Sequence, residues 1–133
     1  MKTLFFSLVL FFTFSCNKSD QVEVPQVNNP IISSWKLIKF EAGFGPTFNY
    51  TNSEIIWTFN QNNTIDALIA SGTNVYSNLP LKLSGNYNYS IANNGIVVNN
   101  EGLKYEISGN VMIITDFVGQ AADGRKLTFN KIQ

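Results

Sequence analysis

The sequence predicts an all-β protein, an eight-stranded antiparallel up-and-down barrel, on three observations. Apolar and polar residues alternate with a period of two in run after run, short Asn and Gly clusters separate the runs, and nothing after residue 31 sustains a helical period. Alternation of two marks a strand with one buried and one wet face. Asn and Gly tolerate the positive φ that tight hairpins require.

The predicted strands are 34–41, 54–60, 64–70, 81–91, 95–99, 103–108, 110–117 and 125–132. In 54–60, Ile55, Trp57 and Phe59 alternate with Glu54, Ile56 and Thr58, and Gln61-Asn62-Asn63 then turns the chain into 64–70. The longest alternation is 81–91, where Leu81, Leu83, Gly85, Tyr87, Tyr89 and Ile91 oppose Lys82, Ser84, Asn86, Asn88 and Ser90. Asn93-Asn94-Gly95 opens 95–99, and Asn100-Glu101-Gly102 precedes 103–108, where Leu103, Tyr105 and Ile107 oppose Lys104, Glu106 and Ser108. Ser108-Gly109-Asn110 and Asp123-Gly124 introduce the last two strands. Neighbour-to-neighbour strands make a meander with two open edges, and closing it into a barrel removes both. At eight strands the interior is either just filled by side chains or holds one small ligand, and both readings stay open.

Ahead of the barrel, Lys2 and the apolar run Leu4 to Phe14 lead to Ser15 and Cys16, the only cysteine. A charged start, a short apolar stretch and a small residue before the cut are the parts of a secretory signal. The run is well short of the roughly 20 apolar residues that span a bilayer. Thr13-Phe14-Ser15-Cys16 resembles the lipobox of bacterial lipoproteins. That resemblance implies removal of residues 1–15 and attachment of diacylglycerol and an acyl chain such as palmitate at Cys16. Each buried methylene adds about 0.8 kcal/mol, so two or three chains anchor a protein durably. Residues 16–31, the lipidated Cys16 and a polar stretch with Pro25 and Pro30, form a tether. Fully extended, fifteen such residues reach about 50 Å. One domain, 32–133, remains, expected outside the cytoplasm on a bacterial membrane, the outer membrane in the first instance.

Loss of the signal takes away Lys2 and leaves eight basic against nine acidic residues, a net charge of −1. No electrostatic footprint for nucleic acid results. The chain has no histidine, which excludes a Ser-His-Asp triad and histidine-ligated metal. No phosphate loop or calcium loop occurs, so no cofactor or metal is expected. An enzymatic reading would need a carboxylate pair in the mouth; Asp116 and Asp123 are its candidates, it ranks last, and a non-enzyme is expected.

Residues 32–133 resemble the bacterial lipocalin-like domains found on lipoproteins. The residues that carry this are Ile32-Ser33-Ser34-Trp35-Lys36-Leu37, with Ser33 in the family's glycine place, and Trp57-Thr58-Phe59-Asn60-Gln61-Asn62-Asn63-Thr64, with Asn63 in another. Gly85-Asn86-Tyr87-Asn88-Tyr89 and Tyr105-Glu106-Ile107 are also similar. The resemblance implies that Trp35 lies across a closed end and that a basic side chain of the last strand, Lys131 or Arg125, packs over it.

The connections 42–53, 71–80 and 118–124 are long and fall on one rim, which makes that rim the mouth and places the tether at the opposite base. Phe44, Phe48 and Tyr50 in the first of them are candidates for a lid, with Tyr76, Leu79 and Phe117 beside them. Trp57, Phe59, Tyr87, Tyr89 and Tyr105 are candidates to line an interior site. For all of these, ordinary core packing is the competing reading. Two functions are compatible with this reading: a membrane-anchored carrier of a small apolar ligand, or a filled barrel acting as a structural or protein-interaction module of the envelope. The expected partners are the membrane, a small apolar ligand and an envelope protein.

Overall fold

The computed structural model describes residues 29–92, 95–116 and 124–133. The expected signal segment, Cys16, most of the expected tether, Phe117 and Asp123 lie outside the described residues. The strands are β1 (Ser34–Glu41), β2 (Thr47–Asn49), β3 (Ile55–Phe59), β4 (Thr64–Ile69), β5 (Gly85–Ala92), β6 (Gly95–Val98), β7 (Glu101–Ser108), β8 (Val111–Asp116) and β9 (Lys126–Lys131). β1 and β3 to β9 pair antiparallel in chain order, and β9 pairs back onto β1. The result is a closed eight-stranded up-and-down barrel with β2 as an extra strand. No helix occurs among the described residues.

Closure depends on a bulge in β1. The register with β9 shifts between Leu37 and Lys39, so the inward series runs Trp35, Leu37, Phe40 instead of continuing to Lys39. One extra residue in a strand increases its bend and re-aims the side chains beyond it, which keeps Lys39 at the surface in a 2.9 Å pair with Glu41. The Ile38 carbonyl at the bulge accepts the Tyr50 N–H at 3.0 Å.

The connection predicted at 42–53 contains β2, which pairs with Lys39 to Glu41 while β3 takes Ser34 to Lys36 on the same edge of β1. The hairpin into β2 turns on Gly43, at φ 67°, and on Gly45, where a Cβ would stand 2.9 Å from the Ala42 Cβ. Both positions therefore need glycine.

The predicted strand 81–91 begins four residues later, at Gly85, which pairs with Ala67. Leu79, Pro80 and Leu81 are buried at the mouth, and Leu83, expected inside, is exposed. The other predicted strands differ from the observed ones by a residue or two at their ends.

Inward residues of the eight barrel strands make one apolar core: Trp35, Leu37 and Phe40, Ile55, Trp57 and Phe59, Ile65 and Ala67, Tyr89, Ile96 and Val98, Leu103, Met112 and Ile114, Leu127 and Phe129. No polar or charged residue is fully buried among the described residues. At the base, Ile31 is fully buried and its carbonyl accepts the Trp35 Nε1–H at 2.8 Å. Ile31, the last residue of the stretch expected to be a tether, thus forms part of the seal.

Candidate functional site: the barrel interior and its mouth

The interior is packed. Trp57, Phe40, Ile55, Ile65, Ile96, Val98, Met112, Ile114, Leu127 and Phe129 have no accessible surface, so no water-sized void touches them from outside or from within. Trp57 lies against Phe129 with ring centres 5.0 Å apart, and Phe59 meets Tyr89 edge-on at 5.3 Å, both within the range of favourable aromatic pairs. The Tyr89 hydroxyl donates to the Asn60 carbonyl at 3.2 Å. Burial, with the Tyr105 side chain adding, raises the Tyr89 pKa. The Trp57 Nε1–H finds no acceptor among the described residues.

The other predicted lining residues are not all brought to that interior. Tyr87 and Tyr105 are half-buried, and the Tyr87 hydroxyl donates to the Leu83 carbonyl at 2.9 Å. Their strands outrun the short β6 at opposite ends, β5 with Tyr87 past Val98 and β7 with Tyr105 past Gly95. A cleft of about 370 Å³ lies at the Val98 end of β6, lined by Tyr87, Asn88, Val97, Asn99 and Asn100.

At the mouth the first connection divides. Phe48 packs with Tyr76 at 5.1 Å, and both meet Phe40, at 6.5 and 5.6 Å. Tyr50 is buried and its hydroxyl donates to the Asn74 carbonyl at 3.1 Å; burial, reinforced by the Glu54 charge, raises its pKa. Phe44, by contrast, is 87% exposed at the hairpin tip and covers nothing among the described residues. Phe48, Tyr50 and Glu54 face residues 70–74 across an open cleft of about 390 Å³. The Glu54 carboxylate is held low in pKa by backbone N–H groups, its own first and that of Asn52 next.

Leu79 and Leu81, each 1% exposed, close the mouth. Arg125 fastens their segment to the barrel wall. Its Nη1 donates to the Asn78 carbonyl at 2.8 Å and lies 2.8 Å from Glu101 Oε2, while its Nε and Nη2 meet the Asp116 carboxylate. Burial pushes the Asp116 pKa up, but the Arg125 side-chain and backbone hydrogen bonds outweigh it, and the carboxyl stays below its ordinary value. The carboxylate is thereby committed to an ion pair.

Arg125 therefore serves the mouth, and the basic partner of Trp35 is Lys131, whose Nζ stands 5.8 Å from the indole centre, within cation–π range. Sequence reasoning set Leu79 at the mouth and turned Leu81 inward, though on a strand, and missed the role of Arg125. No family model matches the chain, and no curated protein matches it.

Proposed function

We propose that this chain is a lipid-anchored, lipocalin-like protein of the bacterial envelope whose barrel is a filled, non-catalytic scaffold and whose mouth rim makes the protein contacts. The observation that carries this reading is the absence of accessible surface on the central side chains of the interior. A small-molecule site of ordinary size needs several hundred Å³, whereas the clefts near the mouth are on the outside, edged by amide, hydroxyl and aromatic groups. Such mixed surfaces suit protein contact. The anchor rests on the Lys2 to Cys16 pattern.

A second reading, a carrier for a small apolar molecule, is favoured by one feature: the mouth is sealed by a connection and not by strands. Native mass spectrometry of the purified protein, with solvent extraction and a fatty-acid and terpenoid panel, separates the two. A clean apo mass without uptake is expected, and a co-purifying apolar molecule would overturn the filled scaffold in favour of the carrier. For the anchor, radiolabelled palmitate should enter the wild-type protein and not Cys16→Ser, which should also leave the membrane fraction. Equal labelling of the two removes Cys16 as the attachment site.

A further inference from the structure

The cleft at the Val98 end of β6 differs from the neighbouring outer surface in what its polar side chains do. Asn88 and Ser90 stand on the outer face of β5, either side of the buried Tyr89, and Asn99 and Asn100 line the cleft from the turn between β6 and β7. The Asn88, Ser90 and Asn100 side chains make no hydrogen bond among the described residues, and Asn99 donates only to the Pro80 carbonyl, at 3.4 Å. Polar groups close by on β4 and β5 behave otherwise. Asp66 accepts from Asn60 at 2.8 Å and from Asn86 at 2.6 Å, and Thr64 donates to Asn62 at 2.7 Å. That cluster is satisfied from within, whereas the cleft presents amides and a hydroxyl whose donors and acceptors are almost all unspent. Strand β5 adds an open edge, since Gly85 to Asn88 have β4 on one side and no β6 partner on the other.

The turn that holds two of the amides is fixed. Val98 pairs with Glu101, and Asn99 and Asn100 between them have φ 51° and 65°, the two-residue turn whose second place glycine usually takes. Asn100 thus puts an exposed amide where the backbone favours glycine, and no side-chain contact within the protein accounts for it. Groups fixed in this way lose little freedom on binding. No charged residue lines the cleft, and Glu101 beside it is paired with Arg125 at 2.8 Å. Tyr87, its hydroxyl tied to the Leu83 carbonyl, and Val97, 37% exposed, supply the apolar part. The volume of about 370 Å³ lies within the roughly 300–1,000 Å³ of small-molecule sites. A ligand suited to this set carries no charge, offers adjacent hydroxyls that one amide meets as donor and acceptor at once, and turns a C–H face to an aromatic ring and a valine. We infer that the cleft is a binding site for a short neutral saccharide. The site lies outside the filled barrel, goes beyond the scaffold reading, and leaves the protein contacts to the rest of the rim.

An array of neutral oligosaccharides of glucose, galactose, mannose, xylose and N-acetylglucosamine, with uronic-acid and sulfated counterparts, tests this on the full chain in detergent micelles. Titration calorimetry with the best neutral member then compares wild type with three variants. Wild type should bind at least one neutral member, and its charged counterparts no more tightly. Asn88→Ala and Asn100→Gly each remove an amide that makes no side-chain bond in the protein, and the second keeps the positive φ of residue 100, so both should keep the wild-type unfolding midpoint. Each should weaken saccharide binding about two- to tenfold, the range of one neutral hydrogen bond. Asn86→Ala, on the same strand but within the Asp66 cluster, should bind as wild type does. The site is overturned if no neutral member binds, if charged members are preferred, if either cleft variant keeps wild-type affinity, or if Asn86→Ala loses as much. None of these outcomes touches the filled interior, which extraction and the fatty-acid panel test separately.

Discussion

The two tryptophans face each other directly across β1 and β3, Trp35 opposite Trp57, and differ in one hydrogen bond. The Trp35 Nε1–H has the Ile31 carbonyl, whereas the Trp57 Nε1–H has no partner among the described residues. Replacing either by Phe removes a similar volume, but only Trp35→Phe breaks a bond and leaves a buried carbonyl unpaired. An unsatisfied buried group costs about 1–3 kcal/mol, so Trp35→Phe should destabilise more than Trp57→Phe by about that amount in urea unfolding. Equal losses would mean that Trp57 has an acceptor after all. A second residue-scale prediction concerns Asp116, whose folded pKa is depressed. Its unfolded form binds a proton more readily, so its contribution is fully present above the ordinary carboxylate value near 4 and is lost as pH falls through the lower folded value. Asp116→Asn should therefore lower the unfolding midpoint at pH 7 and approach wild type near pH 2. A constant gap across that range would show that the charge is not what Arg125 needs.

At the scale of elements, turns were legible because their chemistry is local. Asn63, Asn99 and Asn100 all have positive φ, and Asn63 stands where the resemblance expects glycine. Asn63→Ala should cost about 1–2 kcal/mol through the left-handed backbone, whereas Asn63→Gly should change stability by less than half of that, as thermal unfolding of the two variants will show. The alternation of Leu81 and Leu83 was legible too, but it misled. Parity reports which side a residue faces if the chain is a strand, and it does not report whether a strand is there. Leu81 is buried because its segment folds into the mouth, and Leu83 is exposed because the chain is still returning from it. β2 went unseen since three residues behind a glycine hairpin carry almost no period. The Arg125 contact was out of reach for a further reason: Arg125 and Asn78 are 47 residues apart, and nothing local to either marks the contact.

For the whole molecule, every strand pair joins chain neighbours except β1 with β3, which passes over only the three-residue β2, and one long-range pair. That long-range pair is the seam, where β9 returns to β1 and Trp35 pairs with Lys131 across nearly the full length of the barrel chain. Long-range contacts are slow to form because loop-closure entropy opposes them until the pairing is complete. The meander β3 to β8 can assemble by local hairpins, and the seam then closes it and buries Leu127 and Phe129 against Leu37 and Phe40. A side chain buried only at the last step contributes little to the folding transition state. Leu127→Ala should thus lower stability by about 2–5 kcal/mol, as large-to-small changes in a packed core do, and the loss should fall mainly on the unfolding rate. Ile65→Ala, inside the local β3 to β5 hairpins, should instead slow folding. Stopped-flow chevrons of the two variants separate the limbs. If Leu127→Ala slows folding as much as Ile65→Ala does, closure belongs to the nucleus, and the barrel forms around its seam instead of ending there.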